Sequence, residues 1–253
     1  MVSLLYLAAL VACGGGDKTT NGAVVTGNWQ ISLQQDQTNV LRAVSGFLLQ
    51  AGDSVSGNLL FTSETNHCAG VGPASGQVNG SALTLTVGQT GQTITLTGTV
   101  ANGNSSMSGN YSILASPCGN TQTGTWTGNQ VPPFTGNLQG TLVSTSTAYD
   151  GQQFQLSGTI RQGPNTGGST ANLSGSIATT DPCLASASIS GQISGTAVVL
   201  NVMSAEGVSV AQIRGTAASD ATSIAGTFNI SNSQTPPVGG CQDFGTTTIT
   251  VQH

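Results

Sequence analysis

Charge is almost missing from this chain. Four Lys or Arg and nine Asp or Glu make 5% of 253 residues, where an ordinary soluble domain carries about 25%. A net charge of −5 with so few cations cannot neutralise a phosphate backbone, so nucleic acid is excluded as a partner. Two His and nine carboxylates leave little material for acid–base chemistry. The charged residues that wet the outer faces of amphipathic helices are also absent, which argues against a helical fold. Aromatic residues make up 4% of the chain. That is too few for the interfacial girdles of a 16-strand outer-membrane barrel.

What the chain does have is Gly, 36 residues of it, together with much Ser and Thr and 37% apolar residues. The apolar positions are regularly spaced. Val55-Ser56-Gly57-Asn58-Leu59, Leu96-Thr97-Gly98-Thr99-Val100 and Leu173-Ser174-Gly175-Ser176-Ile177 share one pattern, with apolar residues four apart and Gly midway. In a strand all three lie on one face, and Ser and Thr take the other. Gly on the inner face of successive strands suits the tight coiling of a closed barrel. Period-2 alternation is clearest in Leu83–Val87 and Ile94–Thr97, and Asn79-Gly80 suits a type I′ turn between strands.

The strongest internal signal is duplication. Ser75–Val87 reads SGQVNGSALTLTV, and Ser190–Val202 reads SGQISGTAVVLNV. The match extends from Thr26-Gly27-Asn28-Trp29 against Thr135-Gly136-Asn137-Leu138 to Cys118 against Cys241 and Trp126 against Ile249. Two domains are expected, at 24–130 and 134–253, joined by a stiff linker at 131–133. The first divides into strands at 28–35, 41–50, 54–63, 74–78, 81–88, 92–101, 106–114 and 122–129. The expected fold is all-β, two tandem eight-stranded antiparallel meander barrels, with β-sandwiches as the alternative. The opening Gly27-Asn28-Trp29 and the strand count resemble lipocalins and related up-and-down barrels of the calycin group.

Residues 2–12 are apolar but too few to span a bilayer. They end in Leu10-Val11-Ala12-Cys13, followed by Gly14-Gly15-Gly16. This resembles the lipobox of bacterial lipoproteins. The resemblance implies a signal peptide at 1–12, acylation (palmitate among the chains) at Cys13, a flexible tether at 13–23, and a membrane partner through the anchor. The outer membrane of the cell envelope is the location it implies. Four cysteines remain, and the duplication pairs them as Cys68–Cys118 and Cys183–Cys241, one disulfide per domain. In the strand count, Cys68 lies in the 3–4 loop and Cys118 in the 7–8 loop, which an up-and-down barrel brings to one end. An oxidising compartment permits the bonds.

No catalytic, cofactor or metal residue stands out, and no cofactor is expected. His67 reads as a surface loop residue and His253 as a disordered terminus. Asp36, Asp53, Glu64, Asp150, Asp181, Glu206, Asp220 and Asp243 are scattered and read as turn and solvent residues. Trp29, Tyr111 and Trp126 share the inner face by parity and are candidates to line a cavity. The expected function is a non-catalytic, lipid-anchored envelope protein with a structural or interaction role, contacting protein or carbohydrate. The alternative is a lipocalin-like carrier of a small apolar ligand inside a barrel.

Overall fold

The computed structural model describes residues 22–36, 41–62, 69–89, 91–114, 121–204, 209–232 and 241–253. Cys13, His67, Cys68, Cys118, Glu64 and Glu206 lie outside them, so the expectations of acylation and of a Cys68–Cys118 bond fall outside the described residues.

Among those residues the secondary structure is strand and turn throughout. Eight strands, β1 Gly27–Gln35, β2 Leu41–Ala51, β3 Ser54–Thr62, β4 Gly70–Asn79, β5 Ala82–Gln89, β6 Gln92–Val100, β7 Ser106–Leu114 and β8 Gln122–Val131, close into one antiparallel barrel. A second set follows: β9 Gly136–Ser144, β10 Gln153–Gln162, β11 Ala171–Thr179, β12 Ser186–Ser194, β13 Ala197–Met203, β14 Ser209–Ala217, β15 Ser223–Asn232 and β16 Cys241–Gln252. It closes in the same order. Each strand pairs with its sequence neighbour, and β8 and β16 return to β1 and β9. Closure excludes the sandwich alternative.

The expected strands of the first barrel match in number and order. The fourth begins earlier than its sequence suggests, at Gly70 rather than 74. Its first half, Gly70-Val71-Gly72-Pro73, contains two glycines and a proline and so has little strand signature. Pro73 pairs with Asn58 of β3, while the β5 ladder starts only at Ala74. Its missing N–H therefore falls where no second ladder needs it. The Asn79-Gly80 turn is also shifted by one. Asn79 pairs with Ala82, and Gly80 takes the first loop position with φ +60°, the place Gly holds in a type II′ hairpin.

The inner faces of the barrel strands are mostly apolar, although β16 also turns Asp243 and Thr247 inward. Trp29, Ile31, Leu33, Leu59, Leu83, Leu85, Ile94, Leu96 and Trp126 are almost fully buried in the first barrel. Val71, Leu114 and Phe244, with Val24 before β1, are the large apolar residues left exposed among those described. Inward apolar faces and two separate closures exclude a single 16-strand membrane barrel.

Closure depends on the inner-face glycines. Gly98 of β6 pairs with Gly109 of β7. A Cβ on Gly98 would stand 2.1 Å from the Ser108 carbonyl oxygen, and one on Gly109 1.9 Å from that of Thr97. Gly215 and Gly226 repeat the pair in the second barrel, with a Cβ at 226 placed 2.1 Å from the Arg214 oxygen. Elsewhere an aromatic ring covers the space that Gly leaves. Tyr111 pairs with Gly124 and Phe228 with Gly245, and each ring packs over its glycine.

One end of each barrel is shut by the segment preceding its first strand. The Val25 N–H donates to Gln50 Oε1 at 2.8 Å, and the Gln50 N–H donates to Thr26 Oγ1 at 2.9 Å. In the second barrel the Phe134 N–H donates to Gln162 Oε1 at 3.0 Å, and the Gln162 N–H to Thr135 Oγ1 at 3.1 Å. The repeated Thr-Gly-Asn is thus part of a duplicated clasp. It carries Val25 and Phe134, both fully buried, into the barrel ends. Trp29 joins it by donating Nε1–H to the Val25 carbonyl at 2.7 Å.

Strand register corrects one element of the repeat alignment. Trp126 stands opposite both Leu33 and Gly109, and Thr247 opposite both Leu142 and Gly226. The counterpart of Trp126 is therefore Thr247, not Ile249. Trp126 lies eight residues beyond Cys118 and Thr247 six beyond Cys241, so counting from the cysteines misplaces the match.

Gly109→Ala is expected to destabilise the chain by about 3 kcal/mol, because backbone on the partner strand must move to admit the methyl. Gly88→Ala, with open space around it, should stay within about 0.5 kcal/mol of the parent. Urea unfolding of both variants reads the difference.

Candidate functional site

The barrels meet where the outer wall of the first receives one end of the second. Asn28 and Gln30 on β1 and Ser45 and Phe47 on β2 face outward there. The tight turn between β12 and β13 seats on them. The Asn28 amide exchanges two hydrogen bonds with the Gly195 peptide, at 2.8 and 2.7 Å, much as a neighbouring strand would. Gly195 has φ +55°, and a Cβ there would collide with Gln30 and Ser45. Ser45 and Ser194 share a hydroxyl hydrogen bond at 2.7 Å, and the Thr196 N–H donates to Gln30 Oε1 at 3.2 Å. The β10–β11 connection adds Asn58 Nδ2 to the Gly167 carbonyl at 2.7 Å and Asn165 Nδ2 to the Leu48 carbonyl at 3.0 Å. Phe47 leaves its own barrel and joins the core of the second.

Beside this seam lies a groove of about 980 Å³ walled by both barrels. Pro132, Pro133 and Pro164 give it apolar surface, and Gln130, Arg161, Gln162 and Ser174 line it with polar groups. Ser174 and Arg161 are cross-strand partners on β11 and β10. None of these four polar residues is among the candidates that the sequence pattern singles out. Nothing in local sequence marks them, because the groove exists only where the two domains meet.

A second cluster sits at the opposite end of the second barrel. Cys183 and Cys241 form a disulfide with Cα atoms 5.2 Å apart, tying the β11–β12 and β15–β16 connections as the duplication implied. One disulfide is seen among the described residues. Asp181 and Asp243 flank it, 2% and 0% exposed. The Cys183 N–H donates to Asp181 Oδ1 at 2.7 Å, and the Phe244 N–H to Asp243 Oδ1 at 2.8 Å. Ser144 Oγ–H donates to the same Asp243 oxygen. The Oδ2 atom of each carboxyl finds no N–H or O–H donor. Asp243 lies next to Asp181 and works against the charged form of that carboxyl. Burial, opposed by the Cys183 N–H and reinforced by Asp243, pushes Asp181 up to about 6.

Solvent and turn roles therefore do not describe Asp181 and Asp243. Asp181-Pro182-Cys183 and Cys241-Gln242-Asp243 place each carboxyl two residues from a half-cystine, and the bond that joins the cysteines joins the carboxyls. That spacing was the available signal. Asp220 does fill a turn role, accepting from the Thr222 N–H at 3.1 Å, and that residue's hydrogen bonds hold its carboxyl below the usual range. His253 is ordered against the chain, its Nδ1 2.8 Å from the Thr135 carbonyl oxygen.

Trp29, Tyr111 and Trp126 all fall in the core of the first barrel. Trp126 donates Nε1–H to the Thr97 carbonyl at 3.1 Å. The Tyr111 hydroxyl is buried without a partner. Burial raises its pKa, with Arg42 pulling the other way. The space beside Leu33, Phe61 and Ile113 at the mouth of this barrel amounts to about 10 Å³. No group of three or more His, Cys, Asp or Glu is placed to hold a metal among the described residues.

No protein-family model matches the chain, and no curated protein matches it. Among solved structures, kievitone hydratase from Nectria haematococca is similar at 12% identity. The match covers 92% of this chain and 91% of that one, with a TM-score of 0.28. That protein is an enzyme. The match stands against the expectation of a non-catalytic envelope protein, with a lipocalin-like carrier as its alternative, and that expectation is not kept, but at a TM-score of 0.28 the match puts no activity in its place. A likeness of this size supplies no substrate, reaction or site for the present chain.

The carboxyl pair makes stability depend on pH. Folding raises the Asp181 pKa from 3.8 to about 6, so the folded state holds the proton more tightly. The stabilisation is complete below the unfolded value and is lost as pH rises through about 6. It amounts to at most about 3 kcal/mol. Thermal unfolding is expected at a higher temperature at pH 5 than at pH 7.5. Asp181→Asn, which keeps both an acceptor for Cys183 and a donor toward Asp243, should flatten that difference. An unchanged pH profile in this variant would show that Asp181 does not set the dependence.

Proposed function

We propose that the chain binds a small organic molecule in the groove between its two barrels. The observation that carries this reading is the groove itself, about 980 Å³ of open space with a mixed lining. Ligand sites favour such junctions between domains, where polar groups converge on apolar surface. The seam supports the reading further. Four side chains of the first barrel, Asn28, Gln30, Ser45 and Asn58, hydrogen-bond into the second, and Phe47 inserts into its core. Walls held in this way need little ordering when a ligand arrives, which lowers the cost of binding.

The neutral fluorophore N-phenyl-1-naphthylamine tests the site. Saturable binding at one molecule per chain is expected. Ser174→Trp, on an exposed strand face where a larger side chain is tolerated, should abolish it by filling the groove. Equal binding by the parent and this variant would overturn the assignment.

The N-terminal motif supports a separate proposal about address. Attachment to a membrane through acylated Cys13 predicts a lipid-sized mass increase at that residue in full-length protein from a bacterial host. Cys13→Ala should release the protein to the soluble fraction. Intact-mass measurement showing an unmodified Cys13 would refute it.

A further inference from the structure

We infer that the occupant of the inter-barrel groove is an organic acid, with a single anionic group held by Arg161 and a ring or hydrocarbon body lying on the prolines. This rests on the groove being the ligand site. Arg161 is exposed on β10 and lines the groove. Among the described residues it has no hydrogen-bond or ion-pair partner, whereas Arg214 donates from Nε to Gln212. The residues lining the groove include no Asp or Glu, in a chain where acids outnumber bases nine to four. An unpaired guanidinium in a groove of about 980 Å³ on an acidic protein is complementary to an anion, and its planar fork favours a carboxylate or a similar oxyacid.

The neighbouring polar atoms give the site a direction. Gln162 uses Oε1 to accept from the Phe134 N–H, which leaves its Nε2 donors unspent beside Arg161. The Ser174 hydroxyl stands on the partner strand opposite Arg161. Donors thus gather on the wall made by the second barrel. On the wall made by the first, Gln130 donates Nε2–H to the Thr26 carbonyl at 2.8 Å and leaves Oε1 as an acceptor. A ligand fitting both walls carries its acid group toward β10 and β11, and a hydroxyl or amine toward Gln130. Pro132, Pro133 and Pro164 supply rigid CH surface between them, suited to a ring.

Two fluorophores with the same ring system separate the acid from the body. 8-Anilino-1-naphthalenesulfonate carries an anion, and N-phenyl-1-naphthylamine does not. In the parent protein the sulfonate is expected to bind more tightly. Arg161→Gln should weaken it by about tenfold, the loss of one charge-assisted contact, and leave the neutral probe unchanged. Arg161→Lys should retain part of the preference. Equal sulfonate affinity in the parent and the Gln variant would overturn the inference while leaving the groove as a site for neutral ligands. If neither probe binds the parent, or if Ser174→Trp blocks neither, the groove reading falls and this inference with it.

Discussion

The constraint that everything else depends on is the close approach of neighbouring backbones inside each barrel. Eight strands enclose little space, and the sheet must coil hard to close. Where it coils hardest, the position that would hold a Cβ lies about 2 Å from a carbonyl oxygen of the next strand. Only glycine fits there. Paired glycines at 98 and 109, and again at 215 and 226, let the strands touch. Aromatic rings at 111 and 228 then cover the glycines at 124 and 245. Strand-interior glycine normally weakens a sheet. Here the loss is offset by closure, which leaves no strand edge unpaired.

Closure also explains how a chain with so few charges manages its surface. The outer faces of the strands carry Thr, Ser, Asn and Gln, which hydrate without charge and suit a pleated surface. Their side chains do further structural work at the ends and at the seam. The Gln50 and Gln162 clasps shut the barrel ends, and Asn28 supplies the hydrogen bonds of a missing strand to Gly195. Ionic pairs at these places would carry a large desolvation penalty. Neutral amides satisfy buried backbone groups at lower cost. The exception is Asp181 with Asp243, two buried carboxyls held beside the disulfide by the Cys183 and Phe244 N–H groups and the Ser144 hydroxyl.

Much of this was legible in the sequence, because inner-face glycine, period-2 alternation and duplication are local or self-referential signals. The strand order and the Cys183–Cys241 pairing came from them. The seam did not, although one trace of it was present. Gly46-Phe47-Leu48-Leu49 breaks alternation with three consecutive apolar residues, which signals a strand covered on both faces. By register the counterpart of Phe47 in the second repeat is Thr159, which is exposed on an uncovered face. The groove was harder to see. Arg161, Gln162, Gln130 and Ser174 are ordinary outer-face and strand-end residues in either domain taken alone. They become a site only when the barrels meet, and sequence periodicity holds no information about that meeting.

The duplication conceals an inequality that bears on why the barrels stay together. The first barrel fills itself with Trp29 and Trp126. At the same register positions the second has Leu138 and Thr247, both much smaller. Its interior is completed partly from its own chain, by Phe134 where the first barrel has Val25. It is completed partly from outside, by Phe47 projecting from the wall of its neighbour into its core. The second barrel is therefore not a self-sufficient copy, because part of its core belongs to the first. A shared core fixes the angle between the barrels far more firmly than a surface contact would. The groove beside the seam inherits that rigidity. Divergence between the repeats, more than their similarity, is what made a site at their junction available.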